Sequence, residues 1–308
     1  MHKSVPWLDQ AKGRNILILS DTKPGHVNQS IAFAKLLGLD YEVQSVSFRN
    51  RFCKALSYLL DRVGIYSLAL LKPVSFPTSC SLVVSAGSGT YYANKVISRA
   101  VNAACVAIML PRSYRYDFDL IVAQQHDRPP VKENILTVPV NLSFPEPQGF
   151  VSKIDGRPCV SVIIGGPSRH FMMNAALIKE QLQQIYRLFP DADFLVTTSR
   201  RTPVEVEKLV KEGPFRYRMI ASQQEINPIA DFLAISDYVF VTEDSTSMIS
   251  EAVCFGDANV EVLPLIKQGS DSKIQRMTKF LADEGCLHIF DGFYGSSHCM
   301  VDLAAVLR

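Results

Sequence analysis

Five strand-length runs of apolar residues each break into a turn rich in Gly, Ser, Thr or Pro, and a segment of helical period follows at once. The runs are Ile16–Ser20 before Asp-Thr-Lys-Pro-Gly-His, Leu82–Ser85 before Ala-Gly-Ser-Gly-Thr, and Val160–Ile164 before Gly-Gly-Pro-Ser-Arg-His. The other two are Phe194–Thr198 before Ser-Arg-Arg-Thr-Pro and Tyr238–Thr242 before Glu-Asp-Ser-Thr-Ser. Repeated strand–turn–helix units predict an α/β protein with parallel sheets. Ligands of such sheets bind outside the carboxyl ends of the strands, so the five turns are expected along one rim of their sheets.

The chain has 308 residues, more than one hydrophobic core usually serves, which favours two domains. The boundary falls within Val138–Lys153, where three prolines and a glycine interrupt any helical period and make a stiff, extended connection. This predicts domains over residues 1–145 and 146–308, with the last helix packing back on the first. Hydrophobic content of 47% with 20% charged residues fits a folded globular protein. The net charge of +2 is unevenly spread: 16 basic and 10 acidic residues precede position 150, and 16 basic and 20 acidic follow it. The first half is therefore +6 and the second −4, and a basic half suits an anionic or membrane-surface partner.

No apolar run approaches the ~18 residues of a membrane span, and residues 1–10 lack the apolar core and cleavage site of a leader. The seven cysteines are scattered among mostly apolar neighbours with no Cys-x-x-Cys pair. They read as reduced core thiols of a cytoplasmic protein, one that works at the inner face of a membrane if it touches one. The segment Phe48–Lys72 mixes Arg and Lys with Leu and aromatics. Either it lies on a bilayer interface as an amphipathic helix or it packs on its own sheet with a solvated basic face. No basic run interleaved with aromatics resembles a nucleic-acid platform.

The richest stretch chemically is Tyr238–Glu251, where a strand meets an acidic, hydroxyl-rich turn and then a helix. Ser245, Thr246 and Ser247 would present hydroxyls and N–H groups at a helix N-terminus, where unpaired donors and the macrodipole favour an anion. Glu251 lies one turn beyond Ser247 on the same face, placed to accept hydrogen bonds from a ribose diol while phosphates sit at the turn. The plain alternative makes Ser245 an ordinary N-cap and Glu251 a solvated helix residue.

In the first turn, Asp21 to Ser30, Gly25 permits close backbone approach or a positive φ, and Lys23 can neutralise phosphate. His26 stands at the start of the next helix, where the positive helix end favours the neutral imidazole of a general base. Asn28 and Gln29 either serve a ligand or cap and solvate the helix. The turn matches neither the Walker A spacing nor Gly-x-Gly-x-x-Gly, so no nicotinamide or flavin cofactor is expected. His126-Asp127-Arg128 follows the apolar run Leu120–Ala123; it either orients a ligand or holds a turn. The six histidines form no metal-ligand spacing, and no metal is expected.

Taken together, these motifs resemble a known family. They are Asp-x-Lys-x-Gly-His-x-Asn-Gln at 21–29, Ser-Ala-Gly at 85–87, Gln-His-Asp-Arg at 125–128, Ile-Gly-Gly-Pro-Ser at 164–168, Thr-Thr-Ser-Arg-Arg-Thr-Pro at 197–203 and Val-Thr-Glu-Asp-Ser-Thr-Ser-Met-Ile-Ser-Glu-Ala at 241–252. Nearly the whole chain resembles the mitochondrial fission ELM family and its bacterial members. That family in turn resembles the GT-B glycosyltransferases, in particular the enzyme that adds N-acetylglucosamine to the lipid-linked peptidoglycan precursor. The resemblance implies two Rossmann-like domains facing each other across a cleft, with a nucleotide-sugar held mainly by the C-terminal one and an acceptor by the basic N-terminal one.

Carried onto this chain, the resemblance puts Lys23, Gly25, Asn28, Gln29, Gly87, His126 and Asp127 on the acceptor side, with His26 or Asp21 as base. Gly165, Gly166 and Ser168 match the first donor-phosphate loop, and Asp244, Ser245, Thr246, Ser247 and Glu251 the loop and helix that hold diphosphate and ribose. The chain departs in having one glycine before His26, and Glu243-Asp244 where relatives carry Ser and Gly. Carboxylates beside a diphosphate require cationic compensation, and Arg169, Arg200 and Arg201 stand at neighbouring strand ends. Lys273, Arg276 and Lys279, beyond Gln268–Ser272, either reach toward the ligand or solvate their helix.

Two functions of different classes follow. The first is a metal-independent glycosyltransferase with no cofactor, a nucleotide-sugar as substrate and a lipid-linked or glycolipid acceptor. The second is a non-catalytic adaptor that recruits a protein partner, as plant members resemble recruiters of a dynamin-type GTPase. A nucleotide-sugar epimerase is disfavoured, because it would need a nicotinamide fingerprint and a Tyr-x-x-x-Lys pair.

Overall fold

The computed structural model describes residues 15–269, 272–295 and 299–307. The stretch read for a leader and Ser270-Asp271 of the turn before Lys273 lie outside the described residues. The chain divides into two compact units, one made of residues up to Phe144 together with the stretch from Asp302, the other of Pro145–Val301.

The first unit runs β1 (Ile16–Ser20), α1 (Pro24–Leu36), β2 (Tyr41–Ser45), α2 (Arg51–Arg62), β3 (Leu82–Ala86), α3 (Tyr91–Val101), β4 (Ala104–Ile108), β5 (Leu120–Gln124) and β6 (Ile135–Val138). Its six strands are parallel in the order β2-β1-β3-β4-β5-β6. Every residue of β1, β3 and β5 is buried, which is why these strands are continuous apolar runs with no alternation. The order reverses between β1 and β3, so the loops after these two strands part to opposite faces and leave a crevice at the sheet's carboxyl edge.

The second unit runs β7 (Cys159–Ile164), β8 (Phe171–Met172), α4 (Ala175–Leu188), β9 (Asp193–Thr198), α5 (Val204–Glu212), β10 (Tyr217–Met219), α6 (Ile229–Ile235) and β11 (Tyr238–Thr242). It continues through α7 (Thr246–Cys254), β12 (Asn259–Leu263), β13 (Ile266–Lys267), α8 (Lys273–Asp283) and β14 (His288–Ile289). Six parallel strands follow the order β10-β9-β7-β11-β12-β14, the doubly wound nucleotide-binding order, with the switch between β7 and β11. Strands β8 and β13 form a separate antiparallel pair. The chain ends in α9 (Leu303–Leu307), which packs on α1 and β6 of the first unit. All seven cysteines are free thiols, though only Cys105, Cys159 and Cys286 are buried and Cys299 is exposed. No helix among the described residues is long and apolar enough to cross a membrane.

The helix expected within Phe48–Lys72 is shorter than that segment. Asn50 caps it by accepting the Cys53 N–H at 2.8 Å, and the chain leaves the helix at Gly64, φ +75°. Its buried residues are polar, Ser57 and Asp61. Ser57 Oγ meets Tyr114 Oη at 3.0 Å, while Asp61 accepts from Lys95 Nζ at 2.6 Å and from the Arg115 N–H at 2.7 Å. Lys95 and Asp61 have no exposed side-chain surface, and Lys95 also bonds Asp117. Burial raises the Asp117 carboxyl, but hydrogen bonds from Lys95 and Arg115 outweigh it and bring it down to about 2. An ion pair this deep is costly to break from one side, because the remaining charge stays buried without a partner. Lys95→Ala is expected to destabilise the protein by about 3–5 kcal/mol, and adding Asp61→Asn to recover part of that loss, both read from urea unfolding midpoints.

Candidate functional site

The crevice of the first unit gathers Asp21, His26 and Gly87. Pro24 opens α1, which puts His26 in its first turn. His26 Nδ1 lies 3.0 and 3.1 Å from the two carboxylate oxygens of Asp21. With Nδ1–H donating to the carboxylate, the ring's lone pair is on Nε2, the tautomer of an oriented general base. Asp21 is thus the orienting partner of His26. Gly87 is what admits the ring: it has φ +87°, and a Cβ there would sit 2.3 Å from His26 Nδ1. A Cβ on Gly89 would likewise come within 3.0 Å of Asp21 Cβ.

The other acceptor-side residues divide. Lys23 and Asn28 are exposed, with Lys23 Nζ 3.5 Å from Asp21. Gly25 does not take a positive φ; that conformation falls to Thr22, φ 66°, while Gly25 lies in the first turn of α1 with open space around it. Gln29 is corrected from ligand contact to scaffold: it is buried, donates to Gly25 O and accepts from Gln124 Nε2 at 2.8 Å, tying α1 to β5. Asp127 is likewise committed, to Arg112 at 3.1 Å, and His126 is buried in the short turn after β5. Tyr91 and Lys95 have the Tyr-x-x-x-Lys spacing without forming such a pair. Tyr91 Oη donates to Ile108 O, and Lys95 belongs to Asp61 and Asp117.

In the second unit the residues of the β7 and β11 turns serve one another. Asp244, with no exposed side-chain surface, accepts from Gly166 N–H at 3.0 Å, Thr242 Oγ1 at 2.7 Å and Arg201 Nη2 at 2.8 Å. Arg201 also donates to the Gly166 and Pro167 carbonyls. A Cβ on Gly165 would fall 2.1 Å from Asp244 Oδ1, and one on Gly166 2.4 Å from Arg201 O. The glycines make room for close packing with Asp244 and Arg201. Gly165 N–H donates to Thr242 Oγ1, Gly166 N–H to Asp244 and Ser168 N–H to Phe171 O. Asp244 and Arg201 neutralise each other; the Asp244 side chain is closed off, whereas Arg201 stays 47% exposed. Arg169 is exposed and donates to His170. Glu243 turns inward to accept the Leu265 N–H at 3.5 Å, and burial raises its carboxyl above the usual range.

Beside this clamp, at the carboxyl ends of β9, β10 and β11, opens a pocket of about 560 Å³. Arg200, Ser245, Ser247 and Glu251 line it, whereas Thr246, heading α7, does not. Ser245 Oγ accepts the Met248 N–H at 3.4 Å, so the N-cap role is real while the residue still faces the pocket. Loss of hydration pushes the Glu251 carboxyl up to about 7. The wall also contains Thr197–Ser199, from the 197–203 motif, and Gln224–Asn227, which the motifs did not single out. Their signal was the amide-rich Gln-Gln-Glu-Ile-Asn run after β10. The helix with Lys273 and Lys279 does not line this pocket, and among the described residues no cluster of His, Cys, Asp and Glu could hold a metal ion.

Two doubly wound α/β units, each with its side chains at a switch point, define a protein of the Rossmann-like, GT-B class. Two solved structures have this fold at a TM-score of 0.51. The kitacinnamycin glycotransferase is 12% identical, the match covering 96% of this chain and 90% of that one. A Listeria monocytogenes protein assigned as a UDP-N-acetylglucosamine 2-epimerase is 10% identical, covering 95% and 86%. The class therefore houses proteins assigned as epimerases as well as transferases. The Mitochondrial fission ELM1 family model matches residues 24–304, and the chain belongs to that family. The uncharacterized protein RP120 of Rickettsia prowazekii (strain Madrid E) is 27% identical over 79% of this chain and 81% of its own. Mitochondrial fission protein ELM1 of Arabidopsis thaliana is 26% identical over 69% of this chain, which spans only 57% of that protein.

Two outcomes check this geometry. Gly87→Ala should cost about 1–3 kcal/mol through its backbone conformation and displace the His26 ring, seen as changed imidazole NMR chemical shifts at fixed pH. The Glu251 carboxyl binds its proton more tightly folded than unfolded, so its ionisation lowers stability as pH rises from about 4.5 toward 7. Thermal unfolding of Glu251→Gln should therefore gain on wild type as pH goes from 5 to 8; parallel profiles would contradict the buried carboxyl.

Proposed function

We propose that the protein is a glycosyltransferase that takes a sugar from a nucleotide-sugar and delivers it to a lipid-linked or glycolipid acceptor. What carries the reading is one observation: the N-terminal turn of α7 and the Glu251 carboxyl share the wall of one nucleotide-sized pocket. The helix end suits a diphosphate, and a carboxylate one turn on suits a ribose diol. Arg200, in the same wall, supplies positive charge for the leaving group. The clamped Asp244–Arg201 pair adds no net charge against it.

In this scheme the His26 Nε2 lone pair takes the acceptor hydroxyl proton, with Asp21 steadying the resulting imidazolium. The acceptor oxygen bonds to the anomeric carbon as the bond to the diphosphate oxygen breaks. The nucleoside diphosphate departs with the electron pair, its charge met by the α7 N-terminus and Arg200.

Calorimetry with UDP-, GDP-, ADP- and CMP-linked sugars tests the reading. One nucleotide is expected to bind at micromolar Kd, to lose at least about tenfold in affinity with Glu251→Ala as a charge-accepted hydrogen-bond pair is removed, and to bind His26→Ala normally. Sugar transfer to lipid-linked acceptors should vanish in His26→Ala. Binding with inversion of a sugar hydroxyl, and no acceptor needed, would identify an epimerase. No binding by any of them would favour the adaptor.

A further inference from the structure

Helix α2 is apolar on two faces. Inward, Leu56, Tyr58 and Leu60 pack on the core around Ser57 on Tyr114 and Asp61 in the Lys95 ion pair, while an outward stripe of Phe52, Leu59 and Val63 is 73%, 59% and 63% exposed. These positions recur at helical spacing, seven and eleven residues on from Phe52, so they share one face. Beyond Gly64 the surface continues through Ile65 and Leu68, 52% and 43% exposed. A helix normally turns such a stripe toward its own core; a contiguous exposed one marks a surface that meets something apolar.

The charges around the stripe say what. The segment 48–72 has five basic side chains and a single carboxylate, Asp61. That carboxylate is sealed inside against Lys95, so the exposed surface of the segment presents no acid at all. Arg51 and Arg62, both exposed, flank the apolar stripe on the same side of the helix. Exposed Leu, Val and Phe beside arginines, with no carboxylate among them, match the boundary of an anionic bilayer, where apolar side chains enter the acyl region and guanidinium groups stay with the phosphates. A protein partner's surface would ordinarily be met by mixed charge at the rim.

We propose that α2 and the turn after it, through Phe52, Leu59, Val63 and Ile65 with Arg51 and Arg62, dock the protein on an anionic lipid surface. The apolar stripe supplies the insertion and the arginines the selectivity for negative headgroups. The buried Lys95–Asp61 pair, with Leu56, Tyr58 and Leu60 packed on the core, holds the stripe outward. This docking is independent of the nucleotide-sugar reading and stands or falls without it.

Vesicle co-sedimentation of the full chain tests it. Wild type should bind phosphatidylcholine vesicles containing phosphatidylglycerol and bind pure phosphatidylcholine vesicles far more weakly. Phe52→Glu with Leu59→Glu should lower partitioning at least about tenfold, since two anchoring side chains are lost. Arg51→Gln with Arg62→Gln should lower it several-fold on the anionic vesicles only, an effect that added salt mimics. Because these side chains are exposed, the variants should keep the wild-type unfolding temperature, and nucleotide calorimetry on the same samples reports separately on the other site. Failure of wild type to prefer anionic vesicles overturns the proposal, as does partitioning unchanged in both variants. Sedimentation that shows a wild-type dimer made monomeric by Phe52→Glu with Leu59→Glu, without vesicle binding, would assign the stripe to a second copy of the chain instead.

Discussion

The second unit depends on a single anion. Asp244 sits with no exposed side-chain surface where β7 and β11 diverge, and a carboxylate in that position is tolerable only if its charge is met and its lone pairs filled. Arg201 meets the charge from the loop after β9, while Gly166 N–H and Thr242 Oγ1 fill the acceptor sites. Three strand ends are thereby tied to one group. The two glycines follow from the same constraint, because any side chain at 165 or 166 would occupy the space of Asp244 or the Arg201 backbone. The pocket beside the clamp owes its open shape to loops that are held from behind.

The first unit solves the equivalent problem with a histidine. Where β1 and β3 part, Asp21 fixes the His26 ring through Nδ1, and Gly87 gives up its side chain so that the ring can lie against the backbone. In both units the strained or stripped backbone is at the switch point, which is where topology alone leaves a crevice. The difference lies in what the clamped group can do. Asp244 is saturated and serves geometry, whereas His26 retains a second ring nitrogen that its orienting partner does not use. That contrast is why we propose proton transfer for the first unit and leaving-group stabilisation for the second.

Strand–turn–helix units and the rim of turns were legible in the sequence because fully buried parallel strands must be written as unbroken apolar runs, and Ile16–Ser20 and Val160–Ile164 are. Residue types at turns were legible too, but not their partners. A glycine pair reads as a phosphate cradle or as room for a neighbouring side chain, and only the structure shows that Asp244 and Arg201 lie against it. Likewise Gln29 looks like a ligand contact until Gln124, far away in the chain, is seen to bond it. The pocket wall from Gln224 to Asn227 escaped notice because it has no motif, only a mostly polar loop whose place is set by the short strand before it.

Helix α2 shows the same limit from the other side. Its sequence pattern is amphipathic, and amphipathicity alone says only that the two faces differ; which face goes in depends on what the core offers it. Here the core offers a lysine. Lys95 is fully buried on α3 and requires a carboxylate, which Asp61 provides only if the face of α2 with Ser57 and Asp61 turns inward. Once that pair forms, Phe52, Leu59 and Val63 have nowhere to go but outward. The orientation is thus held by the buried charge together with Leu56, Tyr58 and Leu60 packed on the core, and replacing Lys95 and Asp61 together with apolar residues would remove the electrostatic part of that hold.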